Sequence, residues 1–477
     1  MSNPFKSIPD FIEQSQRYVE DGMHRVRMNT TRANRILRRL SNAEAADILG
    51  CDRSHLYGLL KHPDAPEGEV RGREKTLSVA DVMKVRAMAA ARPSSRTISL
   101  PWRSPGDPLP VVTFNSLKGG TGKSSSSAHF AQFCAIYYGL RVGVIDADPQ
   151  STCSLYFVDD AVGIIDPDVD TFTSFMGLPE DGSLRRRIKH NDLRLNSFWQ
   201  PTPWPGIRLI PGGASIQVAD IALYMMTQSE VPEDKQIFRM LRDAITAWDK
   251  AYPPKTAPED LMLSDGSFDN DAYERALTEC VDIVVIDTAP SLSLAQVNAV
   301  MAADTLIVPQ TMKGFDLSTL HTYLGSLEEY LYFQNKLANP IKFKPNGSMV
   351  LPTLVNTQND VDVKTIGELY TLNQDFISPV YYRSNDAAAN AFMKFQSAYE
   401  FVPDKGTRAG IKSVIANANA VSEHILHRVI PNMQVRGFAN AFIDEKYPDG
   451  VVPRWTESKS EPVRVKVKGT KAKEIAA

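Results

Sequence analysis

Cysteine is scarce in this sequence. Its four cysteines, Cys51, Cys134, Cys153 and Cys280, lie far apart. No pair has the close spacing of a metal finger, and the count is low for a disulfide scaffold. They read as buried thiols in a reducing compartment. Long apolar runs are missing too. Nowhere do about 18 apolar residues follow one another, so no membrane-spanning helix is expected. The N-terminus, MSNPFKSIPDFIEQ, has no apolar signal core. Excess charge of one sign is also lacking. The net charge of −3 excludes a wholesale basic nucleic-acid binder but leaves room for a local basic patch. What remains is the composition of a globular protein, 43% apolar and 23% charged over 477 residues. That length corresponds to about two to three domains. A soluble cytoplasmic protein with no membrane contact is expected.

Four parts follow along the chain. Residues 1–30 read as a helix, with Phe5, Ile8, Phe11, Ile12, Tyr18 and Val19 near helical spacing; such a helix is a candidate dimerisation arm. Residues 31–92 read as a small helical domain. Ser41 and Glu44 make a capping box, Gly50 can end the helix they start, and Asp52 can cap a second helix, RSHLYGLLK. Helix, glycine turn, helix is a helix-turn-helix pattern. Residues 93–110, rich in Pro and Ser, read as a linker.

From residue 111 the pattern changes. Apolar runs such as VVTF, VGVID, IRLI, VDIVVIDTA, TLIVPQ and MVLP alternate with helix-length segments. That alternation predicts an α/β domain over 111–435 with a mostly parallel sheet flanked by helices. The stretches 158–206 and 228–280 are longer than a minimal domain needs and are expected to be surface insertions. Residues 406–430 read as an amphipathic helix. Residues 453–477 are basic, with little apolar content, and are expected to be disordered.

The loop LKGGTGKSSSS carries the chemistry. Gly119, Gly120 and Gly122 give the backbone freedom to close N–H groups on phosphate oxygens. Lys123 can neutralise β- and γ-phosphates, and the Ser124 hydroxyl can reach Mg²⁺. A strand precedes the loop and a helix follows, the context a P-loop needs. The next strand ends in DADPQ, with Asp146 and Asp148. A later one, VVIDTAP, ends in Asp287. Three carboxylates at the C-terminal ends of parallel strands converge on one crevice. One position departs from the ordinary P-loop: Leu117 stands where the first glycine belongs, and Lys118 follows it.

In this order KGGTGKS, DADPQ and VVIDTAP resemble the ParA/MinD group of deviant Walker-A ATPases, over roughly residues 110–430. The resemblance implies a P-loop NTPase fold, ATP and Mg²⁺ as cofactors, and a homodimer that sandwiches two nucleotides. It implies that Lys118 reaches the partner subunit's ATP and that Asp148 orients the attacking water. It places Asp146 and Asp287 with Ser124 near Mg²⁺, and Lys118, Gly119, Gly120, Thr121, Gly122, Lys123, Ser124 and Ser125 around the phosphates. Thr353 falls where the family contacts adenine. The N-terminal extension resembles the larger plasmid-type partition ATPases, which carry a dimerising arm and a helix-turn-helix, and TLSVADVMKVRAMA adds a likeness to a MerR-type winged helix. The segment SAYEF (398–402) resembles the end of the ATPase region in those proteins. A MinD-like membrane helix is not expected, because the tail alternates Val with basic residues.

Residues 1–100 hold 17 Lys and Arg against 12 Asp and Glu, so the basic charge gathers where the helix-turn-helix lies. Arg25, Arg27, Arg32, Arg35, Arg38 and Arg39 contribute to it. Arg53, Ser54, His55 and Tyr57 open the second helix and are candidates for DNA contact. Arg383 is a candidate for nonspecific DNA binding on the ATPase domain. The implied function is DNA partition: ATP-dependent dimerisation and DNA binding on the nucleoid, hydrolysis stimulated by a ParB-like centromere-binding partner, and autorepression through the helix-turn-helix. A nucleotide-switched transcriptional regulator and a positioning ATPase for a non-DNA cargo are the alternatives.

Overall fold

The computed structural model describes residues 7–10, 12–15, 17, 35–72, 74–92, 98–158, 171–178, 196–227, 237–335, 347–358, 360–385, 396–402 and 406–456. Of the expected N-terminal arm, residues 7–10, 12–15 and 17 are described, helical from residue 8; the rest of it, and the basic tail beyond residue 456, lie outside the described residues. So do Arg25, Arg27 and Arg32.

A seven-stranded sheet forms the centre. Its strands are β4 (Val111–Phe114), β5 (Val142–Ala147), β6 (Gln200–Pro201), β7 (Ile207–Ile210), β8 (Ile283–Thr288), β9 (Thr305–Gln310) and β10 (Met349–Pro352). They lie in the order β10-β9-β4-β8-β5-β7-β6. All neighbours pair parallel except β6 with β7. The apolar runs follow from this arrangement. In β8, Ile283 and Val285 pack into one core and Val284 and Ile286 into the other. Both faces are covered by helices, so both alternating sets of side chains must be apolar. Helices Lys123–Tyr138 and Arg408–Val429 cover one face, while Ser215–Thr227 and Met240–Ala251 cover the other.

The N-terminal part is a helical unit with a small sheet. Helix Asn42–Leu49 starts at the Ser41–Glu44 capping box and ends at Gly50, whose φ of 73° is left-handed. Asp52 accepts from the His55 amide and starts helix Arg53–Leu59. The strands β1 (Leu40–Ser41), β2 (Glu69–Arg71) and β3 (Glu74–Leu77) form an antiparallel sheet in the order β1-β3-β2. The hairpin β2–β3 is of the kind that the winged likeness of this unit implies, although the sequence pattern places no strand within 31–92. Its short, polar strands give no apolar alternation to read.

This unit shares a core with the α/β part: Leu40, Ile48, Leu49 and Leu56 belong to the same cluster as Phe133, Tyr138 and Phe442. Arg436 donates to the carbonyls of Asp47, Ile48 and Tyr137 at 2.7, 3.0 and 2.8 Å. It thereby closes the C-terminal ends of two helices, where a cation is favoured. Within 93–110, residues 98–103 and 109–110 are packed down, and 104–108 are exposed. Trp102 donates from Nε1 to the Gly139 carbonyl at 2.9 Å, and the buried Arg103 pairs with Asp249.

The two long stretches expected as surface insertions contribute core in their described parts. Trp199, Trp204 and Trp248 are almost fully buried, and so are Phe172 and Phe175. The acidic run 257–274 dominates the composition there, but helix Met240–Ala251 beside it turns Leu241, Ile245 and Trp248 inward.

Candidate functional site

The glycine loop leaves the C-terminal end of β4 and enters helix Lys123–Tyr138. Gly120 and Gly122 have φ of 71° and 79°. A side chain at either would be strained there, so the loop needs glycine at both. Lys123 is buried, 6% exposed, and its Nζ donates to the Lys118 carbonyl at 2.9 Å and to Ser116 Oγ at 3.3 Å. The ammonium is thus tethered across the loop, over its concave side. Burial lowers the Lys123 pKa, while Asp287 and Asp148 oppose that shift.

The three expected carboxylates meet here. Asp146 and Asp287 are register partners on β5 and β8, both with no exposed surface. Asp146 is held by the Ser154 amide and hydroxyl, each at 2.7 Å, and by the Asp148 amide at 3.0 Å. Burial still raises its pKa to about 6. Asp287 takes a hydrogen bond from Ser127 Oγ at 3.1 Å through Oδ1, and its Oδ2 is buried without a partner. Burial and then the neighbouring Asp146 push Asp287 well above the carboxylate range. Two adjacent buried carboxylates and an orphaned oxygen lie next to a lysine and the Ser124 hydroxyl. That arrangement suits a hard divalent cation that keeps water and phosphate oxygens as its other ligands. Asp148, 7% exposed, lies one residue past the end of β5 and caps the Gln150 amide at 2.9 Å.

Lys118 lies at the rim. Its Nζ hydrogen-bonds Thr311 Oγ1 at 3.2 Å and forms an ion pair with Asp316, and its side chain stays 35% exposed. Burial of Asp316 would raise its pKa; the hydrogen bonds from Lys118 and Thr311 outweigh that and hold it below the usual range. Asp316 and Thr311 did not stand out in the sequence. The available signal was that Thr311 directly follows the end of β9, at the same C-terminal end of the sheet as the three carboxylates.

Other expected residues are placed differently from one another. Ser125 Oγ donates to the Gly122 carbonyl at 3.0 Å. Thr353 is buried, and its hydroxyl donates to the Thr121 carbonyl at 2.7 Å. It therefore braces the glycine loop from behind. Arg53, Ser54, His55 and Tyr57 are exposed on their helix while Leu56 between them is buried. Arg383 pairs with Glu445 at 2.9 Å and lies over the Phe442 ring. Three arginines of the basic N-terminal stretch are paired within the chain, and only the Arg35 pair is inaccessible. Arg35 pairs with Glu400 at 3.1 Å, Arg38 pairs with Glu44 at 2.6 Å, and Arg39 pairs with Glu69 at 3.2 Å.

A solved structure titled "Partition Protein" matches 86% of this chain and 98% of its own with a TM-score of 0.52, at 16% identity. That likeness shows the fold alone. Protein SopA of Escherichia coli strain K12 is 25% identical over 85% of this chain and 92% of its own length. A putative replication protein A of Sinorhizobium fredii is 24% identical over 83% of this chain and 87% of its own. The model of the CobQ/CobB/MinD/ParA nucleotide binding domain matches residues 112–433, the span that holds the glycine loop and its carboxylates, and the chain belongs to that family.

Proposed function

We propose that this chain is a DNA-partition ATPase that binds Mg-ATP at the glycine loop, dimerises across it, and hydrolyses the nucleotide. One observation carries the reading. Asp146, Asp148 and Asp287 converge on the loop that carries both Lys118 and Lys123, and the buried Asp287 Oδ2 has no partner.

Each residue then has a role. The amides of Gly119–Ser125 wrap phosphate oxygens, and Lys123 moves from its loop contacts onto the β- and γ-phosphates. Ser125 swings its hydroxyl from the Gly122 carbonyl toward the α-phosphate. Ser124 and Asp287, with Asp146 behind, hold Mg²⁺, which when bound draws charge from the phosphate oxygens. Asp148 lies at the mouth of the site and orients the attacking water. Lys118 leaves Asp316 and reaches the partner subunit's nucleotide, adding a cation where charge accumulates in the transition state. Thr353 keeps the loop in shape, so Thr353→Val should weaken nucleotide binding by roughly 5- to 10-fold, about the worth of one neutral hydrogen bond. Titration with a fluorescent nucleotide would read this, and unchanged affinity would remove Thr353 from the loop's support.

The exposed face Arg53–Tyr57 belongs to the N-terminal unit and binds specific DNA; Arg383 contributes to nonspecific binding on the nucleotide domain. Arg53→Ala with His55→Ala should weaken binding to the operator by about tenfold or more, at roughly 1–3 kcal/mol per lost base contact. ATP-dependent binding to random DNA should stay near wild type. Equal loss on both DNAs, in fluorescence anisotropy, would defeat the two-surface arrangement. The whole reading is tested by phosphate release from Mg-ATP, alone, with DNA, and with a ParB-like partner. Stimulation by the partner and DNA together is expected; no turnover under any condition would overturn it.

A further inference from the structure

Residues 397–401 receive contacts from three separate parts of the chain. From the glycine-loop helix comes His129, whose Nδ1–H donates to the Ser125 carbonyl at 2.6 Å. Its Nε2 accepts from the Ala398 amide at 3.1 Å. A ring that donates at one nitrogen and accepts at the other is neutral with a fixed tautomer. From the N-terminal unit, Arg38 Nε donates to the Tyr399 carbonyl at 2.8 Å, and Arg35 pairs with Glu400 at 3.1 Å, both partners nearly inaccessible. From helix Arg408–Val429, Asn419 accepts from the Tyr399 hydroxyl at 2.8 Å. The same Arg38 reaches Glu44 at 2.6 Å, and Glu44 is the capping-box residue that starts helix Asn42–Leu49.

An unbroken run of short polar contacts therefore joins Ser125 to the first helix of the N-terminal unit. Both ends are places where something can change. Ser125 lies in the first turn after the loop, and its hydroxyl must turn for a phosphate to use it. Helix Asn42–Leu49 packs beside the exposed helix Arg53–Leu59. A rigid apolar contact would only support the docked unit. Part-buried polar contacts in series, each with one satisfied geometry, respond to a shift at either end.

We propose that residues 397–401 form a coupling segment, with His129 as the positioning residue that ties occupancy of the glycine loop to the placement of helix Asn42–Leu49. This rests on the reading of the loop as a nucleotide site. Coupling is reciprocal: nucleotide stabilises one placement of the N-terminal unit, and whatever that unit binds alters nucleotide affinity by the same factor.

The test is hydrogen exchange on the full chain, with and without Mg²⁺ and the non-hydrolysable analogue AMPPNP. Binding is measured separately by titration with a fluorescent AMPPNP derivative. In the wild type, nucleotide should change the exchange of amides in 397–401 and 42–49 by about fivefold or more. His129→Asn keeps a donor near the Nδ1 position but cannot reach Ala398. It should bind nucleotide within about twofold of wild type, keep the loop response, and lose the response at 42–49. His129→Gln places an acceptor near the Nε2 position and should retain most of it. Should His129→Asn melt well below wild type, Arg38→Ala cuts the same route farther along and should give the same loss. An undiminished response at 42–49 in His129→Asn or Arg38→Ala would overturn the coupling. So would a wild type that binds nucleotide with no response there. No nucleotide binding at all would overturn the site reading and this proposal with it.

Discussion

Lys118→Ala is expected to cut ATP turnover by about a thousandfold or more while leaving nucleotide affinity within a few fold. A cation that meets the transferring phosphoryl group only in the dimer is worth on the order of 10³–10⁵ in rate. Binding to one subunit should persist, because Lys123 and the loop amides remain. In the single chain Lys118 is held by Asp316 and Thr311 at the rim of the site, with 35% of its side chain exposed. Its own Lys123 spans the loop instead. Asp148→Ala should also bind nucleotide and fail to turn over. Mixing the two inactive variants then separates a cis role from a trans one. In a mixed dimer, the subunit with Lys118→Ala keeps its own Asp148 and borrows Lys118 from its neighbour. Random pairing should restore roughly a quarter of the wild-type sites. If Lys118 served its own subunit, the mixture would stay as inactive as its parts. Near-normal turnover in Lys118→Ala alone would remove the lysine from catalysis.

Glu423→Ala should produce the largest loss of stability. Glu423 has no exposed surface, and its carboxylate accepts from the amides of Arg436, Gly437 and Ala439 at 2.5, 3.0 and 2.7 Å. The last two begin helix Phe438–Lys446, so a buried anion caps a buried helix N-terminus. Tyr138, on the glycine-loop helix, donates to it at 3.3 Å. Removing the carboxylate strands several buried donors, at a cost of about 4 kcal/mol. The melting temperature should fall by about 4 °C; a melt within about 1 °C of wild type would refute the assignment.

The sign of the pH effect follows from the same contacts. Burial raises the Glu423 pKa, but the adjacent His427, 3.9 Å away, and the hydrogen bonds from the Ala439 and Arg436 amides bring it below its ordinary 4.5. A depressed carboxylate stabilises the fold fully above its unfolded value, and the contribution fades as pH drops through the folded one. The stability of Glu423→Gln should therefore depend on acid less steeply than wild type below about pH 4.5.

Much of the site was legible in residue order. The glycines, Lys118, Lys123 and the three aspartates are local features, because each sits at a strand end or in the turn that follows it. Strand β8 announced itself by its unbroken apolar run, which only a strand covered on both faces requires. The capping box at Ser41 and the turn at Gly50 were equally local, since a cap and its partner lie three residues apart. These were decided by short-range geometry, and the sequence carries that geometry directly.

The rest was settled by contacts that only packing creates, several of them between residues far apart in the chain. Arg35, Arg38 and Arg39 read as a basic patch, yet packing turns them into struts to Glu400, Glu44 and Glu69. Thr353 was expected to contact adenine; in addition, the parallel pairing of β9 and β10 brings its hydroxyl under Thr121. Asp316 becomes the partner of Lys118 across 198 positions. No periodicity encodes such pairs. A side chain's charge says what it can bind, but only the packed chain brings the groups that desolvate it and compete for it. That is why the loop and its carboxylates could be read from the residues, while the resting partner of Lys118 and the seat of the N-terminal unit had to come from the fold.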